Sequence, residues 1–382
     1  MNLNLSDEQE FLREAARGAL SRVKTVEAAR EGLEDEAARP DLWPMAIEAG
    51  WPGLLISEER GGAGLGAYDA MLVAQEAGRV LAPAPLLGPL PASLLLDRGG
   101  ADVTEAVAAG ELKAAWLPAR PPSTYEPNWT VDPVAGKARA AAPVAKVDGD
   151  TVTLDGVVAW APDAGQADVL VVIGQDAGGK AVAAVVEAGA DGVSVEDTWR
   201  YDVSRRLGTV TLTGATGTRL AVSDDDIAAA WYLTQALIAA ESLGTVEAAL
   251  EVSVAYAKER FTFGRAIGSY QAMKHGLVEI LRRQENTRSL LIYAGFAFSD
   301  VPAEIAYASS AARSVAGGAL DFAARQQIAV HGGIGATWEH DAPLTYRRAQ
   351  LSRRLVGGTG DATDRVADEL FAGRGPSAQA AA

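Results

Sequence analysis

The 382-residue chain contains no cysteine, so neither a disulfide framework nor a thiol nucleophile is available to it. Histidine is nearly as scarce. His275, His331 and His340 are the whole supply, too little for a His/Cys zinc centre, and no metal site is expected. Positive charge is in deficit: 34 Lys and Arg against 50 Asp and Glu leave a formal charge of −16. That balance argues against a nucleic-acid partner and supplies no basic membrane footprint. It also means that any phosphate-bearing ligand must be met by a locally basic patch. No run of about 18 apolar residues suggests a membrane span. The opening MNLNLSDEQEFLREAARGAL carries acidic residues and no apolar core, unlike a secretory signal, and a cytoplasmic location is expected. What remains is ordinary soluble-protein composition, 48% hydrophobic and 22% charged, long enough for two or three domains with buried cores.

The order of hydrophobic periods divides the chain. Ser6, with Asp7 and Gln9 behind it, reads as a capped helix start, and Leu12, Ala15, Ala16 and Ala19 follow at helical spacing. Pro40 and Pro44 bracket a second start, Tyr68 to Val80 is helical again, and a Pro-broken connector leads to Pro91–Leu96. The run Gly61 to Gly66 (GGAGLG) has no apolar strand before it, so a loop between helices is favoured over a phosphate cradle. Residues 1–112 are expected to form a helical domain. From Lys113 the apolar runs become short and rich in Val and Thr, with Asp148-Gly149-Asp150 set like a hairpin turn, so 113–226 is expected to be a small β domain. After candidate caps at Ser223 and Asp224 the helical period returns, and 227–382 is expected to be a helical bundle. The fold class is α+β.

One stretch stands out for chemistry. RFTFGRAIGSYQAMKH, Arg260 to His275, sets an arginine, a Phe263-Gly264 turn and the amide of Gln271 between two long helices. An arginine fork and exposed N–H groups suit a phosphate-bearing cofactor. On spacing alone, a helix hairpin whose loop needs glycine for positive φ explains it as well. The stretch resembles the R-x-x-F-G-x-x-I-G-x-x-Q-x-x-K-H signature of the acyl-CoA dehydrogenase family. HGGIGATWEHDAPLTYRRA, from His331 to Ala349, resembles that family's Gly-Gly-x-Gly-x-x-x-Glu segment, and GWPGLLISEERGGAGLG, from Gly50 to Gly66, resembles its N-terminal motif, with Ser57 where proline usually stands.

The resemblance implies an N-terminal helical domain, a middle β domain and a C-terminal four-helix bundle that drives oligomerisation. It implies FAD as cofactor and an acyl-CoA thioester as substrate, dehydrogenated at its α,β bond. The chemistry requires a carboxylate over the α-carbon, donors for the developing enolate oxygen, and a flavin held opposite with its pyrophosphate neutralised. By resemblance, Arg260 meets the pyrophosphate, Phe263 packs on the adenine side, Gln271 bonds nearby, and His331, Gly332, Gly333 and Gly335 admit the adenosine end. In the family these elements serve a flavin bound mainly by a neighbouring subunit. A C-cap turn explains Gly332-Gly333 equally well. Ala329 stands where the family usually has Gln.

The residues that would hold the chain's own flavin depart from the family. The Thr-Glu-Pro-x-Ala-Gly-Ser-Asp loop corresponds to AAWLPARPPSTYEPNWT, Ala114 to Thr130, and the Trp-Ile-Thr-Asn strand to AWAPDAG, residues 159–165, where Trp160 is retained but Pro162 and Asp163 follow. The base is missing from both family positions: Gly357 stands in one and Thr234 in the other. Glu241, two turns beyond Thr234 in the apolar run IAAESLG, is the remaining candidate base; its alternative is a glutamate facing solvent or paired with a bundle cation. Glu339 matches the structural Glu of its motif, and Asp361 and Asp364 suit the start of the last helix.

Three readings follow. The chain is a subunit of a heteromeric acyl-CoA dehydrogenase, of the kind that shortens steroid side chains, lending flavin contacts to a related partner; or it is a homo-oligomeric enzyme with the unusual base Glu241; or it is a flavin-free scaffold. Retention of Arg260 together with Gln271 favours the first.

Overall fold

The computed structural model describes residues 4–123, 128–130, 139–198 and 200–376. Six helices come first: α1 (Asp7–Leu20), α2 (Thr25–Glu31), α3 (Trp43–Glu48), α4 (Ala67–Arg79), α5 (Pro89–Arg98) and α6 (Thr104–Ala108). Seven strands follow: β1 (Ala114–Leu117), β2 (Val144–Asp148), β3 (Thr151–Pro162), β4 (Val169–Gln175), β5 (Ala181–Glu187), β6 (Val193–Asp197) and β7 (Leu207–Arg219). The chain then runs through α7 (Asp224–Glu259), the two-residue strands β8 (Phe261–Thr262) and β9 (Arg265–Ala266), α8 (Gln271–Asp300), α9 (Ile305–His331), α10 (Ala342–Ser352) and α11 (Gly358–Phe371). The class of element changes between Ala108 and Ala114 and again between Arg219 and Asp224. The short helices α2 and α6 carry too few turns to show a period and are not singled out in the sequence.

Local chemistry explains the ends. Ser6 and Gln9 close a capping box on α1, and Ser223 with Asp226 closes one on α7, each satisfying N–H groups that the first turn leaves open. The 36-residue α7 is buried on nearly all sides from Ile227 to Ala249, so it lacks a polar face and forms the axis of the molecule. It meets α4 backbone to backbone. A Cβ on Gly78 would lie 2.0 Å from the Glu241 carbonyl oxygen, and one on Gly244 would lie 1.8 Å from that of Gln75. Thr245 seals the crossing by donating its hydroxyl to the Gly78 carbonyl at 2.8 Å.

The sheet runs β1-β4-β2-β3-β7-β5 with β6 on β7, and β5 also pairs with β4, so it closes on itself. Alternation along β4 shows both uses of a strand. Leu170 and Val172 face an apolar interior with Leu154, Val158, Val210 and Leu212, while Val171 and Ile173 turn outward onto the helical core beside Trp116 and Leu237. Beyond the sheet, α7, α8 and α9 pack side by side, and α10 and α11 close against α9. Among the described residues no helix is long and apolar enough to cross a membrane, and no His/Cys/Asp/Glu group could hold a metal.

Candidate cofactor and active site

The residues that the family resemblance singles out fall in two separate regions. The first is the end of the bundle where α7, α8 and α9 terminate or begin. Arg260 leaves α7 with its N–H donating to the Tyr256 carbonyl at 2.9 Å. Phe263 (φ 48°) and Gly264 (φ 77°) then turn β8 into β9, both with the positive φ that a two-residue hairpin of this twist demands. Phe263 is 93% exposed, which no folding argument requires of a phenylalanine. The hairpin is braced by Ile267 N–H donating to the Arg260 carbonyl at 2.8 Å and by the Arg265 guanidinium, 3.9 Å above the Tyr270 ring. Gln271 is the first residue of α8; it is exposed, and no side chain caps that helix, so its N-terminal N–H groups and dipole face outward.

α9 ends beside this hairpin. His331 is buried, its Nδ1 2.7 Å from the Gln327 carbonyl, and Gly332 (φ 64°) turns the chain away. Gly332 and Gly333 are exposed, with open space where a side chain would stand, whereas a Cβ on the buried Gly335 would press on His331 and Ile328 at 2.8 Å. The His331 ring lies 4.3 Å from that of Tyr256, so the structure brings together the two stretches that the sequence holds about seventy residues apart. The segment from Tyr256 to Gly276 holds Lys258, Arg260, Arg265 and Lys274 against Glu259, the locally basic patch that a chain of charge −16 needs to receive a phosphate. These residues fit a dinucleotide.

The second region does not fit a flavin. Gly357 occupies the family's base position with φ 79°, and a Cβ built there would lie 3.0 Å from Trp129 and 3.3 Å from Trp231. Trp231 in turn takes Trp116 and Trp129 edge-on, with centroids 6.3 and 5.7 Å away. The loop that departs from the family motif is pinned: buried Arg120 is paired with Asp361 at 2.7 Å, and Arg365 donates to the carbonyls of Pro121 and Pro122 at 2.9 and 3.1 Å. Burial pushes the Asp361 carboxyl up, and Arg120 opposes that shift. Thr234 is buried with its hydroxyl spent on the Ala230 carbonyl. Residues 124–127 of this loop lie outside the described residues. Aromatic rings and an ion pair thus crowd around Gly357.

Asp163, at the end of β3, turns inward and accepts the Gly88 N–H at 3.0 Å, tying the sheet to the N-terminus of α5. Burial, with Glu241 nearby, pushes its carboxyl up to about 7 even though part of the residue remains open to solvent. A raised carboxyl holds its proton to a higher pH when folded than when unfolded. Its contribution is therefore complete below its unfolded value and lost as pH rises through about 7. Asp163→Asn keeps an oxygen for Gly88 and cannot ionise. Denaturant unfolding should find the stability of the Asn variant relative to the parent rising by about 2–3 kcal/mol between pH 5 and pH 8. An offset that is the same at both pH values would refute this.

Glu241 is 2% exposed, 2.7 Å from Arg205 and 4.0 Å from Arg348. Arg205 also donates to Ser352 at 2.9 Å, and Arg348 to Asp202 at 3.1 Å. Behind them Arg313 donates to the Ser352 and Leu355 carbonyls, its guanidinium pushed down to about 9 by burial and by Arg205. The cavity touching Glu241 holds about 10 Å³, room for one water. The glutamate is held by cations and has no space beside it for an acyl thioester. Glu339 and Asp364 are exposed, and Asp361 lies in the first turn of α11. The loop around GGAGLG turns its N–H groups inward: Gly62, Ala63 and Gly64 donate to the carbonyls of Ser57, Gly53 and Ile56, so it is no phosphate cradle. Sequence reasoning missed Arg205 as the partner of Glu241 and Trp129 as the ring beneath Gly357. Nothing in their local sequence marks either.

Helices, a closed β layer and a helical bundle define an oxidoreductase of the acyl-CoA dehydrogenase type. The structure superposes on the Tcur3481–Tcur3483 steroid ACAD with a TM-score of 0.84 and 25% identity, covering 96% of this chain and 98% of that one. It shares its fold with the ChsE4–ChsE5 complex from Mycobacterium tuberculosis at a TM-score of 0.84 and 23% identity, covering 97% and 99%. In sequence it is 29% identical over 370 residues to acyl-CoA dehydrogenase IpdE2 of Mycolicibacterium smegmatis, covering 96% of this chain and all of that protein. Residues 6–120 match the acyl-CoA dehydrogenase N-terminal domain and 228–370 the C-terminal domain, and the chain belongs to the acyl-CoA dehydrogenase family.

Proposed function

We propose that this chain is a subunit of a heteromeric acyl-CoA dehydrogenase and lends flavin contacts to a related partner, while its own flavin position is filled. The observation that carries this is the contrast between two places. Gly357 lies against Trp129 and Trp231, whereas Arg260, Phe263, Gln271 and the Gly332-Gly333 turn stand exposed. Arg260 meets the FAD pyrophosphate with its fork of donors, and the N-terminus of α8 with Gln271 adds dipole and N–H groups. Gly332 and Gly333 admit backbone approach to the adenosine end, and Phe263 packs on the adenine.

Bound FAD supplies the hydride acceptor for α,β-dehydrogenation of an acyl-CoA. On this reading the partner supplies the flavin platform and the base, and Glu241 serves the fold. Likeness to the steroid ACAD supports a bulky acyl group such as a steroid side chain. A homo-oligomer using Glu241 as base is less well supported, because that carboxylate is engaged by Arg205.

Expression alone and together with a related dehydrogenase chain tests the proposal. Alone, the protein should be colourless; the complex should be yellow, with one FAD per pair of chains. A yellow isolated chain with one FAD per protomer overturns it.

A further inference from the structure

Arg260 and the Gly332–Ala336 turn follow different helices, and one direct link between them is a run of three contacting, mutually tilted rings. Tyr256, in the last turn of α7, lies 4.3 Å from His331, and His331 lies 4.2 Å from His340, just before α10. Each ring is tied to backbone that matters. The Tyr256 carbonyl holds the Arg260 N–H; His331 is the residue on which α9 ends; His340 Nδ1 accepts the Ala342 N–H at 3.0 Å and so caps α10.

The hydrogen bonds fix the protons. His340 Nδ1 must be bare to accept, so its ring proton sits on Nε2; His331 Nδ1, facing the Gln327 carbonyl, must carry one. A second proton on His340 abolishes the cap. A second proton on either ring sets a cation against its neighbour. The charged groups facing the stack do not offset this: Asp341 is already paired with Arg30 from α2, and Tyr256 brings no charge.

We propose that Tyr256, His331 and His340 are positioning residues whose contacting rings hold the Arg260 turn and the Gly332–Ala336 turn at the spacing a dinucleotide needs, and that protonating His340 loosens that spacing. The identity of what is held rests on the flavin-lending reading; the brace itself does not. Burial and the neighbouring His331 lower the affinity of His340 for a proton, which keeps the His340 ring uncharged near pH 7.

Hydrogen exchange on the full chain, expressed as protection factors at about pH 7.5 and about pH 5, tests the brace across the ordinary histidine range. Peptides covering 256–263 and 332–342 should lose about fivefold in protection at the lower pH, the size of effect expected for one lost helix cap. His331→Phe with His340→Asn keeps a flat ring and a non-titrating cap, and should remove the pH dependence. His340→Asn alone, at a half-buried site, provides the same comparison if the double variant fails to fold. An equal loss in the variants, or none in the parent, overturns the proposal. FAD titration of the complex with a related dehydrogenase separates the two readings. If exchange behaves as expected but FAD affinity does not fall with it, the lending role fails and the brace stands.

Discussion

Glu241→Ala should destabilise the chain by about 3–5 kcal/mol, measured by denaturant unfolding of the isolated protein. The buried cluster sets Glu241 and Asp202 against Arg205, Arg348 and Arg313. Removing Glu241 leaves Arg205 facing Arg348 and Arg313 with Asp202, and more weakly Asp163, to offset it. A loss of that size is a large fraction of ordinary folding stability. Glu241→Gln keeps volume and one acceptor, and its loss should be smaller. In a catalytically active complex, Glu241→Gln should leave turnover close to that of the parent. A Gln variant that folds as well as the parent yet abolishes turnover would return Glu241 to the role of base.

The second large effect falls on the cofactor. Arg260→Ala should weaken FAD binding by the complex about 10–100-fold, the loss expected for charged hydrogen bonds to a phosphate, read by flavin titration and by absorbance of the purified complex. Because Arg260 is exposed, with its guanidinium outside the core, unfolding of the isolated chain should shift by no more than about 0.5 kcal/mol. Arg260→Lys, which keeps charge but loses the fork, should fall between the two. Normal flavin occupancy in the Ala variant would remove the lending role, because the proposed pyrophosphate contact would then contribute nothing.

These two residues show why sequence alone treated them so differently. Arg260 sits in a stretch whose spacing is itself the signal: arginine, turn, amide and helix start are close in the chain, and their geometry is local. Glu241 sits in an apolar run, and that run is equally compatible with a base in a pocket and a carboxylate in an ion pair. What decides is Arg205, 36 residues earlier on the segment that enters β7, and Arg348, more than 100 residues later on α10. Neither cation lies at a helical offset from Glu241, so no periodicity could have paired them.

The own-flavin region divides in the same way. Replacement of the family's loop residues by proline and arginine is visible in the chain, as is Gly357 in the place of a carboxylate. What fills the resulting space is not visible. Trp116, Trp129 and Trp231 come from a strand, a loop and the axial helix, and β1 and α7 both pack on α5. Asp163 follows Pro162 in the altered strand, and with a φ of 61° it turns to the Gly88 N–H. Backbone handedness at a single residue decided that direction.

By itself, then, the sequence determined the order of helical and β segments, the capped starts at Ser6 and Ser223, the turn at Phe263-Gly264 and the basic patch around Arg260, because each depends on residues within a few turns of one another. The tertiary structure alone decided that Glu241 is ion-paired with Arg205, that rings crowd around Gly357, and that the His331 ring meets that of Tyr256. Those are contacts between side chains distant in the chain, and the packing of α7 against its neighbours creates them. The physical reason is range: hydrophobic period, caps and turns act locally, whereas pairing of buried charges and filling of space depend on which surfaces the fold brings together.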